Sequence, residues 1–384
     1  MTLGIFTVMT AELLPVGLLT PAAADLAVSE GTAALMVTVP GLVAALAAPL
    51  VTVRAAGADR RALLVGLLLL AAAANLVSAL AGHLAVVLAA RVLLGIAIGG
   101  FWALAGGLAP RLVPAGAVGR ATAMIFGGVS AASVLGVPAG TLLTERAGWR
   151  WAFAATGLLA LLAAAALRVL LPRLPGRAGG TGAEPSPAGR SGTGTLLALP
   201  RRNRRVRAGL LLTLALVTGH FLAYSFVRPL LTDRSGISGS LLGALLLGYG
   251  VAGVAGNFLA GSRAARSPGR TLAVIAAALG TVLLAGFLLG GSAIAGAGLL
   301  LLWGLAYGGV SVALQSWFMA AAPDDVETAT GLNVSVFCLA IALGALLGGL
   351  LVDAYSLDTV LLAGAALTLA AFPVAVLSGR NDPS

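Results

Sequence analysis

The stretch Arg91–Arg120 reads RVLLGIAIGGFWALAGGLAPRLVPAGAVGR, and its reading decides the fold. An arginine stands just inside an apolar run, closely spaced small residues follow, and a short Arg/Pro/Gly loop closes the stretch. Arginine at the centre of a membrane helix is disfavoured by roughly 2.5–3.5 kcal/mol on insertion scales, so it faces a protein interior or an aqueous cavity. Gly95, Gly99 and Gly100 leave little side chain on one face, which lets a neighbouring helix approach closely. The bland reading of Arg91 is a snorkelling side chain on a packed helix. The preferred reading is functional, because a charge held this deep is rarely kept for packing alone.

Composition agrees. Of 384 residues, 59% are hydrophobic and only 9% charged, against about 25% charged in soluble domains. The chain reads as an all-α polytopic membrane protein. All 23 basic residues are arginine, which together with the abundance of Ala, Gly, Leu and Val suggests a GC-rich bacterial gene. The net charge of +10 does not imply nucleic acid, since the arginines lie in short loops where they orient helices across a bilayer. The single cysteine, Cys338, lies in an apolar run and reads as a buried, inert thiol. No basic n-region precedes the first apolar run, so a cleaved signal peptide is not expected. That run begins almost at Met1, and a native start upstream of it is an expectation.

A helix needs about 20 apolar residues to cross the hydrocarbon core. That criterion predicts twelve spans, at 2–24, 31–53, 61–82, 84–108, 120–142, 149–171, 207–230, 238–262, 270–290, 293–320, 328–352 and 357–378. With both termini inside, seventeen arginines fall in cytoplasmic segments and four (Arg146, Arg150, Arg228 and Arg234) on the opposite face. The positive-inside rule therefore places both termini in the cytoplasm. Residues 172–206, rich in Gly, Pro, Ser and Arg, read as a flexible cytoplasmic linker between an N-terminal bundle (1–171) and a C-terminal bundle (207–384). The basic cluster at 201–205 reads as an anchor for the helix that follows, with contact to anionic headgroups as the alternative.

The two halves repeat. Gly95, Gly99 and Gly100 recur as Gly304, Gly308 and Gly309, each 209 residues later, and the same offset relates Pro114 to Pro323 and Arg61 to Arg270. Parallel six-helix repeats build one large transporter fold, with its substrate site between the halves. Against that symmetry, Arg91 corresponds to Leu300 and Glu12 to Phe221. Both deep charges thus belong to the first half, which argues for function over architecture. Glu12 lies about 14 Å from Pro21 and Arg91 about 12 Å from His83 along their helices, so the two reach similar depth. A carboxyl group in a low-dielectric cavity holds its proton more tightly, and a nearby arginine loosens it. Movement between such environments would carry a proton across. The alternative is a static buried ion pair.

Polar and aromatic residues inside the spans supply a candidate lining: Trp102 in the fourth, His220, Tyr224 and Ser225 in the seventh, then Trp303, Tyr307, Gln315, Asn333 and Ser335. Each suits hydrogen bonding or stacking on a planar ligand, and each alone is equally well explained as packing between helices. With two histidines and one cysteine there is no zinc set, no catalytic thiol pair and no GxxxxGK[ST] phosphate loop in the sequence. No metal, cofactor or enzymatic activity is expected.

The segments AELLPVGLLTPAAADL from Ala11, the stretch from Arg91, IFGGVSAASVLGVPAGTLL from Ile125, GHFLAYSFVRPLL from Gly219 and WGLAYGGVSVALQSWFMAAAPDD from Trp303 resemble the major facilitator superfamily. The branch resembled is that of drug:proton antiporters, and within it the sugar and purine-ribonucleoside efflux subgroup. The resemblance implies that Arg91 matches the fourth-helix arginine associated with proton transfer, and Glu12 a first-helix acid of the subgroup. The fifth-helix antiporter motif appears as Gly136-Val137-Pro138-Ala139-Gly140, with one residue inserted between the Gly and the Pro. In the loop motif before the third helix, Ala56 stands at the acid position and Asp59 at the glycine position, while Arg60 and Arg61 are retained. The usual charge relay is then absent unless Asp59 supplies it.

The function implied is a proton-coupled exporter in the bacterial inner membrane, monomeric, working by alternating access on a small nucleoside-, sugar- or drug-like substrate. The alternatives are a proton-coupled importer, a non-transporting sensor of the same fold and, last, a membrane-embedded enzyme.

Overall fold

A computed structural model describes residues 1–54, 58–105, 108, 112–114, 124–125, 127–129, 131–174, 193–264 and 266–379. The described residues contain no strand. Among the described residues, twelve helices are long and apolar enough to cross a membrane: Thr2–Asp25, Glu30–Ala48, Arg60–Leu80, Leu84–Ala105, Gly127–Ala147, Trp149–Leu170, Arg204–Tyr224, Leu241–Ala264, Pro268–Leu289, Ala293–Ala321, Thr328–Ala354 and Leu357–Gly379. They are called the first to twelfth spans below.

Three differences from the sequence reading have a local reason. The fifth span is shifted toward the C-terminus, and a π-helical turn at Ala132–Gly136 interrupts it before the α-helix Val137–Ala147. Pro138 has no N–H for the residue four before it, and a π turn absorbs both that lost bond and one extra residue. The seventh span, expected to reach 230, stops at Tyr224. Pro229 cannot donate to the Ser225 carbonyl, so the α ladder gives way to the short turns Val227–Pro229 and Leu230–Arg234. The tenth span is two helices, Ala293–Gly308 and Val310–Ala321, broken at the Gly308-Gly309 pair.

The expected flexible linker 172–206 is only partly described. Residues 175–192 lie outside the described residues, as do Ala56, Arg111, Arg120 and Arg380. The remainder is not all irregular: Thr193–Arg202 forms a helix, and Asn203 caps the seventh span by accepting from the Arg205 and Val206 N–H groups at 2.9 and 3.1 Å. An Asn directly before a helix's first turn is a helix start signal, which composition alone does not weigh.

Each half is built by the same packing. The second and fourth, third and sixth, first and fifth, and first and sixth spans touch; so do the eighth and tenth, ninth and twelfth, seventh and eleventh, and seventh and twelfth. The repeat extends to single contacts. A Cβ on Gly95 would lie 2.7 Å from the Pro40 carbonyl oxygen, and Gly304 meets Tyr249, which stands 209 residues beyond Pro40. Gly99 packs on Ala44 while Gly308 packs on Gly253, again at that offset. These glycines serve close approach of backbones, without which the paired helices would stand a side chain apart.

The halves meet along the second and eleventh spans and along the fifth and eighth. Gly41 lies against Cys338 and Ala342, Gly31 against Gly349, and Gly243 against Leu142. At the end away from the chain termini, Arg228 Nη1 also donates to the Gly17 carbonyl of the first span at 2.8 Å.

Candidate functional site

Arg91 is 1% exposed and Glu12 2% exposed. They are neighbours but not an ion pair. Arg91 Nη1 donates to the Ala11 carbonyl at 2.9 Å, and its guanidinium carbon lies 4.5 Å from the ring centroid of Phe153 in the sixth span. Its Nε and Nη2 have no hydrogen-bond partner among the described residues. The static ion pair weighed from the sequence is therefore not what the structure contains. Arg91 approaches the first span from inside the first half. The Glu12 carboxyl lies within electrostatic range of Tyr307 and Cys338 in the second half, and its Oε1 has no hydrogen-bond partner among the described residues.

Four of the sequence candidates, His220, Tyr224, Trp303 and Tyr307, come together in the second half. Trp303 Nε1 donates to His220 Nδ1 at 3.0 Å. That bond makes Nδ1 the acceptor and leaves the imidazole proton on Nε2. Tyr307 stacks on His220 with centroids 3.4 Å apart, and Tyr224 stacks on His220 at 4.8 Å. Tyr249 of the eighth span continues the pile at 4.9 Å from Tyr224, and Trp303 stands edge-on to His220, Tyr224 and Tyr249. Stacked and T-shaped pairs at these separations stabilise a rigid wall, each by about 0.5–1.5 kcal/mol beyond its area burial. His220 Nε2 and Ser225 Oγ have no hydrogen-bond partner among the described residues.

The other candidates lie elsewhere. Asn333 is buried and accepts from Thr213 Oγ1 at 2.8 Å, a bond that joins the seventh and eleventh spans. Gln315 is exposed, on the part of the tenth span beyond Gly309, and Ser335 turns back to the Gly331 carbonyl. Trp102 is half-buried against the main hydrophobic core. Tyr249, Phe153 and Phe221 were not singled out from sequence; Phe221 stands edge-on to His220 at 4.9 Å. The one sequence mark on Tyr249 is its position 209 residues beyond Pro40; it faces Gly304 as Pro40 faces Gly95.

The two motifs have local roles in the geometry. Gly136 meets the Thr10 side chain and Gly140 the Leu14 side chain, and Pro138 is buried between them, so the fifth span lies directly on the first. Asp59 caps the third span, accepting from the Arg61 and Leu174 N–H groups at 3.0 Å each, while the Arg60 N–H donates to the Leu174 carbonyl. Asp59 thus ties the end of the sixth span to the start of the third. Arg60 and Arg61 are half-buried there. Among the described residues, no group of His, Cys, Asp and Glu has the arrangement of a metal site.

Comparison with known proteins places this geometry. The chain is 35% identical over 98% of its length to a Pseudomonas aeruginosa protein named transcription regulatory protein OpdE, covering 92% of that protein. It is 34% identical over 93% of its length to the Escherichia coli K12 purine ribonucleoside efflux pump NepI, covering 87% of it. Its fold matches a bacterial homologue of the human lysosomal transporter Spinster, solved inward-facing and occupied, with a TM-score of 0.78 at 16% identity over 99% of this chain and 95% of that one. The family model of the Major Facilitator Superfamily matches residues 1–345. With twelve spans in two repeats of six, the chain belongs to the Major Facilitator Superfamily.

Proposed function

We propose that this protein is a proton-coupled antiporter that exports a small nucleoside-, sugar- or drug-like molecule across the bacterial inner membrane. Both termini are cytoplasmic in this reading, the bundles are 1–171 and 207–384 joined by the linker 172–206, and the working unit is a monomer. The observation that carries the proposal is Glu12: a carboxyl buried in the membrane interior, without an ion-pair partner among the described residues, and within electrostatic range of Tyr307 and Cys338 of the second half. Intramembrane acids serve proton relays, and an acid between two halves that rock against each other is exposed to each side in turn.

Glu12 carries the proton, and Arg91, anchored on the Ala11 carbonyl one residue away, supplies the positive field that changes with the tilt of the first span. Tyr307, His220, Tyr224 and Trp303 form the aromatic wall against which a planar substrate stacks. Trp102, Gln315 and Asn333 stand apart from this wall and are kept as secondary substrate positions in this reading. The relative named as a purine ribonucleoside efflux pump favours purine nucleosides among the candidates.

The test is proton release on adding substrate to purified protein in lightly buffered detergent, using panels of purine nucleosides, sugars and antibiotics. Release by the wild type that disappears in Glu12→Gln, with binding retained, is the expected result. Release that persists in Glu12→Gln moves the coupling to another residue. The relative named as a transcription regulatory protein supports a second reading, a sensor of this fold. Proteoliposomes with an imposed pH gradient separate the readings: a sensor binds its ligand without flux, an antiporter drives substrate against the direction of proton flow, and a symporting importer drives it with proton flow.

A further inference from the structure

At the end of the bundle away from the chain termini, Asp353 is a side chain that crosses between the halves. Asp353, near the C-terminal end of the eleventh span, reaches the start of the second span. Its Oδ1 accepts from the Gly31 N–H at 3.1 Å and its Oδ2 from Ser29 Oγ at 2.6 Å. Ser29 is itself the N-cap of the helical turn Glu30–Ala33 that opens this span, accepting from the Thr32 N–H at 3.0 Å. The first turn of a helix presents N–H groups without intrahelical partners and the positive end of the helix dipole. Here those groups are satisfied jointly by a serine of the first half and a carboxylate of the second. The backbones beneath are in contact: a Cβ on Gly349 would lie 2.7 Å from the Gly31 carbonyl oxygen.

We propose that Asp353 is the positioning residue of the gate at this end, and that releasing its cap on the second span is the step that lets the end open. Three features fit a latch better than a permanent strut. First, Asp353 and Ser29 are exposed, so water replaces the bonds when they break and the barrier to opening stays low. Second, both bonds converge on one carboxylate of the second half, so a tilt of one half against the other breaks them together. Third, the surfaces under the cap are glycine on glycine, which separate without withdrawing interlocked side chains. Arg228, bonded to the Gly17 carbonyl, crosses between the halves at the same end and keeps Asp353 from carrying the closure alone.

The test uses the full chain in nanodiscs with Cys338→Ala, spin labels at Ala24→Cys and Tyr355→Cys, and distance distributions from double electron–electron resonance. Both label sites are exposed and lie on opposite halves at this end. Gly349→Ala, which wedges the same contact by bulk, calibrates where the open population appears. Asp353→Ala is expected to raise the ratio of long to short distances at least about fivefold with an unchanged melting temperature. Asp353→Asn, which keeps one acceptor, is expected to give a smaller rise, and Asp353→Glu to restore the parent distribution. A distribution for Asp353→Ala within about twofold of the parent would overturn the proposal. If that variant does not yield monodisperse protein, Ser29→Ala decides in the same way: a rise supports the latch, and a trace superimposable on the parent removes it.

Discussion

The two halves of this protein share a scaffold and differ in what they place on it. In the first half, Arg91 of the fourth span bonds to residue 11 of the first span through its main-chain carbonyl. In the second half, Trp303 of the tenth span bonds to His220 of the seventh, which stands 209 residues beyond Ala11. The same junction between equivalent spans is therefore made by a cation on a carbonyl in one half and by an indole on an imidazole in the other. The position of Glu12 is taken by Phe221, and that of Arg91 by Leu300. One half holds charge and the other holds stacked rings. The difference teaches that the repeat fixes where helices cross, while the side chains at the crossings are free to diverge into separate tasks.

Arg91→Leu tests the division most severely, because it writes the second half's residue into the first. A charge with unpartnered donors in an apolar interior contributes little to stability, and its replacement by an apolar residue of similar size is often neutral or stabilising. The variant is expected to fold with an unchanged or raised melting temperature. Its transport rate in proteoliposomes is expected to fall by about 100-fold, corresponding to roughly 3 kcal/mol at the coupling step. A variant that is cold to heat and still transports would return Arg91 to architecture.

The shared scaffold is tested by a matched pair, Gly99→Ala and Gly308→Ala. Each added methyl meets the backbone of the facing span, Ala44 in one half and Gly253 in the other. Overpacking of this kind costs typically about 1–3 kcal/mol, against a gain of up to about 1 kcal/mol in helix propensity. Both variants are expected to unfold earlier, by comparable amounts, in denaturant titrations in detergent. A large loss for one and none for the other would break the symmetry of the packing.

Trp303→Phe probes the ring wall alone. It keeps an aromatic ring but removes the donor to His220 Nδ1, leaving a buried acceptor unsatisfied at a cost of about 1–3 kcal/mol. Thermal unfolding is expected to shift downward modestly, while proton release at Glu12 persists for any substrate that still binds. Loss of proton release with binding intact would show that the two halves do not divide the work as described.

How much of this could be read beforehand differs by residue. The count of twelve spans and the repeat came from apolar length and glycine spacing, which depend on the bilayer and on local close approach. The sequence offers His220, Tyr224, Trp303 and Tyr307 only among nine candidate lining residues; the fold stacks these four together with Tyr249, a single tyrosine in an apolar run whose one sequence mark is the repeat offset. Gln315 and Asn333 looked equivalent in sequence. The fold sets them apart: a break at Gly309 precedes the exposed Gln315, whereas Asn333 is tied to Thr213 on a neighbouring span. The cap by Asp353 was invisible, since its partners lie more than three hundred residues away in the chain.

By itself, the sequence determined the class of the protein, its twelve crossings, its internal repeat and the identity of the two deep charges. Those are consequences of hydropathy, length and spacing, which act locally along a helix. Only the tertiary structure decided that Glu12 and Arg91 are not paired, that the rings stack on one another, and that Asp353 closes one end. Those depend on which face of each helix is turned toward which neighbour. In a chain this rich in Ala, Leu and Gly, the faces of a span differ too little in polarity for periodicity to reveal that orientation.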